Sequence, residues 1–256
     1  MNTTRTGRLH FALAALLLTG AGLPAQLTEW PATVAPGRFL LEMDAISLTI
    51  DREGGDKYTA FGAASTFLTV GVAQNWDIQI GAELFISQKA DRGGLSDRNS
   101  GIGDVYFRTK WRFYENTEMG ASAAVIPFVK IPTNSGGVGN DSVEGGVIVP
   151  WQATLAGGLV MYSMVELDLL RNDADDGYDT YWFGSMALSR EVTSRIRLYA
   201  ELAGAKSSGG SPWEATLGGG VTFNISENIW WDFAVYRGLS RGAADWNPVV
   251  RFNWGF

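Results

Sequence analysis

The chain is 256 residues long, 46% hydrophobic and 18% charged, with 32 glycines, no cysteine, one histidine and a formal net charge of −7. Apolar content of that order excludes a disordered chain, and the acidic balance argues against nucleic acid as a partner. The missing cysteines exclude disulfide staples and thiolate metal centres.

Residues 1–25 read as a signal peptide. Arg5 and Arg8 precede an apolar run from Phe11 to Leu18, and small residues follow. The run is too short to span a bilayer. Cleavage is expected between Ala21 and Ala25, leaving 26–256 as a single domain. Loss of the two arginines takes the net charge from −7 to −9, and His10 leaves with the leader. A mature chain without histidine cannot assemble a Ser-His or Cys-His pair. Paired carboxylates remain possible, but no pair stands apart from ordinary charged lumen residues, and no catalytic residue, metal site or cofactor is expected.

From Gly37 to Phe256 one unit recurs: about ten to fourteen residues of period-two alternation, then a polar break, at roughly nineteen residues per unit. Breaks near Gln74-Asn75, Glu115 to Glu118, Thr154 to Ala156, Thr193 to Arg195 and Ser226 to Asn228 are short. Those between them, Arg52 to Asp56, Lys89 to Ser100, Thr133 to Asp141, Asn172 to Asp176, Ser207 to Ser211 and Leu239 to Ala244, are mostly longer. Alternation alone also suits a soluble sandwich, whose polar face points outward. Short turns at one end and long loops at the other instead predict a transmembrane antiparallel up-and-down β-barrel of about 12 strands, all-β, with both termini facing the periplasm.

Along the chain, the clearest strand is Gly103 to Tyr114, where Val105, Phe107, Thr109, Trp111 and Phe113 alternate with Asp104, Tyr106, Arg108, Lys110 and Arg112. Gly145 to Val165 carries no charge over 21 positions, long enough for a membrane helix. Pro150, Gln152 and Gly157-Gly158 punctuate it, and Glu166 and Asp168 continue its alternation, which favours two strands about a turn at 154–156. Asn172, Asp173, Asp175 and Asp176 supply oxygen ligands but lack the spacing and glycine of a calcium loop, which favours a solvated loop. Trp76, Phe113, Tyr114, Trp151, Phe223, Trp231 and Trp254 fall near the short turns. Tyr58, Tyr106, Tyr181, Trp182, Trp213, Tyr236 and Trp246 fall near the long loops, as two interfacial girdles would. The chain stops on an amphipathic strand in which Phe252, Trp254 and Phe256 alternate with polar residues, similar to the terminal signal read by outer-membrane assembly machinery.

If the apolar faces meet lipid, the opposite positions line the lumen. Pore-lining candidates are Glu42, Asp44, Asp77, Glu83, Arg108, Lys110, Arg112, Lys130, Glu166, Asp168, Arg197, Glu201 and Arg251, with Glu214 and Asp232 beside them. The basic strand 103–114 should lie against Asp77 and Glu83, and closure should bring Arg251 to Glu42 and Asp44. These charges either neutralise one another and hold the barrel's shape, or form a basic strip at Arg108, Lys110, Arg112 and Lys130 that favours anionic or polar solutes. The glycine-rich loops 89–100 and 133–141 are expected to be outer loops, one of which could fold inward.

Gly101-Ile102-Gly103-Asp104, Pro127-Phe128-Val129-Lys130-Ile131-Pro132-Thr133 and Glu144-Gly145-Gly146-Val147-Ile148-Val149-Pro150 resemble the outer-membrane transporter family of the meta-pathway of phenol degradation, over most of 37–256. The resemblance implies a monomeric outer-membrane barrel that passes small hydrophobic or aromatic molecules, and it carries over no binding residue. The expected partners are therefore outer-membrane lipid, the assembly machinery and a small-molecule solute. The competing reading is a non-conducting structural or surface-binding barrel.

Overall fold

The computed structural model describes residues 27–172, 174 and 176–256. Thirteen strands follow one another: β1 Phe39–Glu53, β2 Asp56–Ala73, β3 Trp76–Arg92, β4 Leu95–Gly101, β5 Val105–Asn116, β6 Ala121–Ile131 and β7 Glu144–Thr154, then β8 Leu159–Arg171, β9 Tyr178–Thr193, β10 Ile196–Ser207, β11 Glu214–Asn224, β12 Ile229–Gly238 and β13 Trp246–Gly255. Every pair is antiparallel, β1 pairs with both β2 and β13, and the β2–β3 pairing closes the sheet. β4 and β5 together occupy one place in the barrel. β4 pairs with the outer part of β3, Ile86 to Arg92, whereas β5 pairs with its inner part, Trp76 to Ala82. The wall therefore has twelve spanning positions, one of them interrupted at 102–104. Closure is made at the chain ends, where Phe39 and Phe256 exchange backbone hydrogen bonds of 2.8 and 2.9 Å and their rings stack at 5.5 Å.

Alternation decides the faces. Ile78, Ile80, Leu84, Phe107, Trp111 and Val165 stand exposed on the outside, while their sequence neighbours Asp77, Gln79, Glu83, Arg108, Lys110 and Glu166 are buried inside. That is an ordinary globular protein turned inside out, and its apolar burial has to come from hydrocarbon around it. No helix among the described residues is long and apolar enough to cross a membrane, and 145–165 forms β7, a single 3-10 turn and β8.

Three expectations need correction. The break at 52–56 is a two-residue turn, in which Gly54 and Gly55 hold φ of +59° and +98°. Likewise 89–100 is a hairpin of β3 and β4 turning on Gly93 and Gly94, with φ of +54° and +84°, instead of a loose loop. Glycine adopts these angles without steric cost, so the strands run on past the point where composition suggested a loop. Finally, Tyr106, Tyr181 and Tyr236 face the lumen and are not girdle residues. Tyr106 is in phase with Arg108 and Lys110 on β5, which leaves its ring no outward direction.

Candidate functional site: a lumen filled by residues 27–36

A twelve-stranded barrel is wider than the eight-stranded kind that side chains fill unaided, yet narrower than an open porin. Here residues 27–36 occupy the difference. The segment enters at the rim of short turns, where Pro36 bridges Gly71 and the Gly37 amide donates to the Gly71 carbonyl at 2.9 Å. A Cβ on residue 71 would stand 2.1 Å from the Ala35 carbonyl oxygen, so only glycine permits this approach. Thr33 Oγ1 donates to the Gln74 carbonyl at 2.9 Å, and the Val34 amide donates to Asp77 Oδ2 at 3.1 Å.

Deeper in, Glu29 meets the basic side of β5. Its Oε1 accepts from Arg108 Nη2 at 2.6 Å, and Lys110 Nζ stands 3.8 Å from Oε2. Both ends of the Glu29–Arg108 pair are shut off from solvent, with side-chain exposures of 0% and 1%. Arg108 is fixed independently of Glu29. Its Nε donates to Gln79 Oε1 at 2.7 Å, and its guanidinium lies 4.4 Å from the centroid of Phe67. Phe67 in turn meets Tyr106 at 6.2 Å, with Phe128 packed against both.

At the far end Glu201 holds the segment. It accepts from the amides of Leu27 at 2.9 Å and Thr28 at 2.6 Å, from Thr28 Oγ1 at 2.5 Å and from Tyr236 Oη at 3.0 Å. Having given its proton to Glu201, the Thr28 hydroxyl can accept from Ser185 Oγ at 2.7 Å. Leu27 joins an apolar wall that includes Tyr181, Phe183, Tyr199 and Tyr236.

The other basic groups of the lumen have barrel partners. Lys130 lies between Asp104 at 3.0 Å and Glu144 at 2.7 Å, and donates to Asn140 Oδ1 at 2.5 Å. Asp104 Oδ1 also accepts from the Thr133 and Asn134 amides, each at 3.0 Å, so the 132–143 loop is pinned inward over this cluster. Arg251 pairs with Asp44 at 2.5 Å across the β1–β13 closure. Asp232 accepts from Thr222 and Asn253. Among the described residues Glu42 Oε1 finds no hydrogen-bond partner, and the Glu166 and Asp168 carboxyls lie against each other.

The pore-lining candidates thus divide. Glu42, Asp44, Asp77, Glu83, Arg108, Lys110, Lys130, Glu166, Asp168, Glu201 and Arg251 are buried within the barrel. Arg112 and Arg197 are only partly covered, pairing near the short turns with Glu115 at 3.1 Å and Glu191 at 2.7 Å. Lys110 lies opposite Asp77 in the β3–β5 register, as the sequence suggested, but its ion pair runs to Glu29. Glu29, Thr28, Asp104 and Glu144 were not among the pore-lining candidates, although Asp104 and Glu144 fall in the motifs that carry the family resemblance. Buried acidic residues outnumber buried basic ones twelve to four among the described residues, so the interior as a whole is negative. Phe252 and Trp254 sit on the outer face of β13 with Phe256 directly after it, packed with Trp231 and Phe39. Asp173 and Asp175 of the acidic loop lie outside the described residues, as do residues 1–26, and no metal-binding cluster occurs among the described ones.

A family model described as "Putative MetA-pathway of phenol degradation" matches residues 28–254. The chain belongs to this family. No curated protein matches by sequence. Among solved structures, an outer membrane channel from Pseudomonas putida F1 superposes with a TM-score of 0.70 at 9% identity, covering 89% of this chain and 98% of that one. The translocator domain of the autotransporter NalP from Neisseria meningitidis follows at 0.55 and 12% identity, covering 87% and 89%. The NanC porin gives 0.54 at 7% identity, covering 84% and 98%. These structures are a channel, a translocator barrel and a porin rather than enzymes, and identities this low establish the outer-membrane-barrel fold and no solute.

Proposed function

We propose that the chain is an outer-membrane channel for small molecules whose resting state is closed by residues 27–36. The Glu29–Arg108 pair carries this reading. A buried ion pair between a strand and a segment outside the sheet holds the lumen shut without being needed to build the wall, since every strand finds its neighbours without that segment. Removing one partner of a buried pair is costly where the other charge stays dry. A departing segment would let water in, so the barrel can survive the loss.

In this reading residues 1–25 direct export, β13 offers its aromatic face to the assembly machinery, and the barrel stands in outer-membrane lipid as a monomer. The apolar wall of Tyr181, Phe183, Tyr199 and Tyr236 supports a solute with an apolar or aromatic body. The negative interior would make the open pore prefer small cations, and not the anions that the basic run of β5 suggested.

Single-channel recording of the refolded barrel tests this. Wild type is expected to be mostly closed, and a chain lacking 27–34 to conduct steadily with a cation preference. A correctly folded truncated barrel that never conducts would leave the filled lumen as a structural device, the competing reading.

A further inference from the structure

Glu29 is a carboxylate sitting in a built carboxylate seat. Arg108 presents its guanidinium to Oε1 at 2.6 Å, and Lys110 adds a second cation at 3.8 Å. The seat is preformed by groups that belong to the barrel: Gln79 orients the guanidinium and Phe67 lies beneath it. Its occupant, by contrast, is carried on residues 27–36, which contribute no strand to the sheet. Phe67, Tyr106 and Phe128 form an aromatic floor beside the cations. A charged head next to an aromatic floor matches a small organic acid with a flat apolar body.

We propose that the Arg108–Lys110 seat binds the carboxylate of an aromatic monocarboxylic acid, which displaces Glu29 and thereby opens the channel. The proposal builds on the closed-channel reading and gives it a ligand class. Exchange of one carboxylate for another keeps the charge of the site constant, so neither cation is left bare as the segment leaves. The acid-rich lumen elsewhere repels an anion, which confines binding to this one seat and makes it saturable. Glu29 competes intramolecularly, at an effective concentration in the millimolar range. The free acid therefore has to reach millimolar levels unless Glu29 is weakened.

The test is calorimetric titration of the refolded protein with benzoate, with benzyl alcohol as the neutral control, in parallel with single-channel recording. Wild type should bind benzoate weakly and open as it binds. Glu29→Gln should bind benzoate roughly tenfold tighter, because its own competitor is gone. Lys110→Gln should bind it severalfold more weakly while keeping the folded barrel, and Arg108→Gln should not bind it if it folds. Equal responses to benzoate and benzyl alcohol, or an unchanged benzoate affinity in Glu29→Gln, would overturn the seat. If instead benzoate binds with the expected order among variants while no variant conducts, the seat stands and the channel reading falls.

Discussion

Lys130 on β6 and the Arg108–Lys110 pair on neighbouring β5 are equally buried basic groups in one lumen, yet their carboxylates come from different places. Asp104 and Glu144 reach Lys130 from the wall itself, next to β5 and at the start of β7, and the pinned 132–143 loop completes that cluster. Glu29 reaches Arg108 from a segment that contributes no strand to the wall. The same chemistry thus serves as a rivet in one place and a latch in the other. What separates them is whether water can enter when the partner is lost.

Lys130→Ala breaks the comparison most severely if the rivet is real. It strands two buried carboxylates, and a loss of about 3–5 kcal/mol is expected in urea unfolding, with little change in the conductance of barrels that remain folded. Glu29→Gln should do the reverse: open probability rises at least tenfold, while barrel stability changes by no more than about 1–2 kcal/mol because the lumen hydrates. Comparable destabilisation by the two substitutions would erase the distinction between rivet and latch. Gly71→Ala sharpens the same point from the entrance. Its Cβ would collide with the Ala35 and Val34 carbonyl oxygens at 2.1 and 2.5 Å, so it should loosen the segment and raise flickering, short of the full effect of Glu29→Gln. Smallest of all is Glu191→Gln. That residue pairs with Arg197 at an exposed turn, and its loss should change stability by less than about 0.5 kcal/mol and conductance not at all.

Much of the wall was legible in the sequence because period two leaves a residue only two directions. Phe107 and Trp111 out, Arg108 and Lys110 in, follow from β5 alone. The same rule would have turned Tyr106 inward, had its phase been weighed above its nearness to a loop. Strand ends were less legible, since glycine pairs such as Gly54-Gly55 look alike in a mobile loop and in a two-residue turn. The segment 27–36 was not legible at all. It has no alternation to read, and the contact that gives it meaning joins residues 79 positions apart. Only closure of the barrel brings β5 across the lumen to face Glu29.

Because the chain contains no cysteine, a tether can be placed without background. Thr28 Oγ1 and Ser185 Oγ are 2.7 Å apart, one on the segment and the other on β9. The decisive measurement is single-channel conductance of the Thr28→Cys, Ser185→Cys double variant before and after reduction in the bilayer. Disulfide-locked barrels should stay silent and gain conductance when the bond is reduced; channels that open as often with the tether intact would show that residues 27–36 do not close the pore.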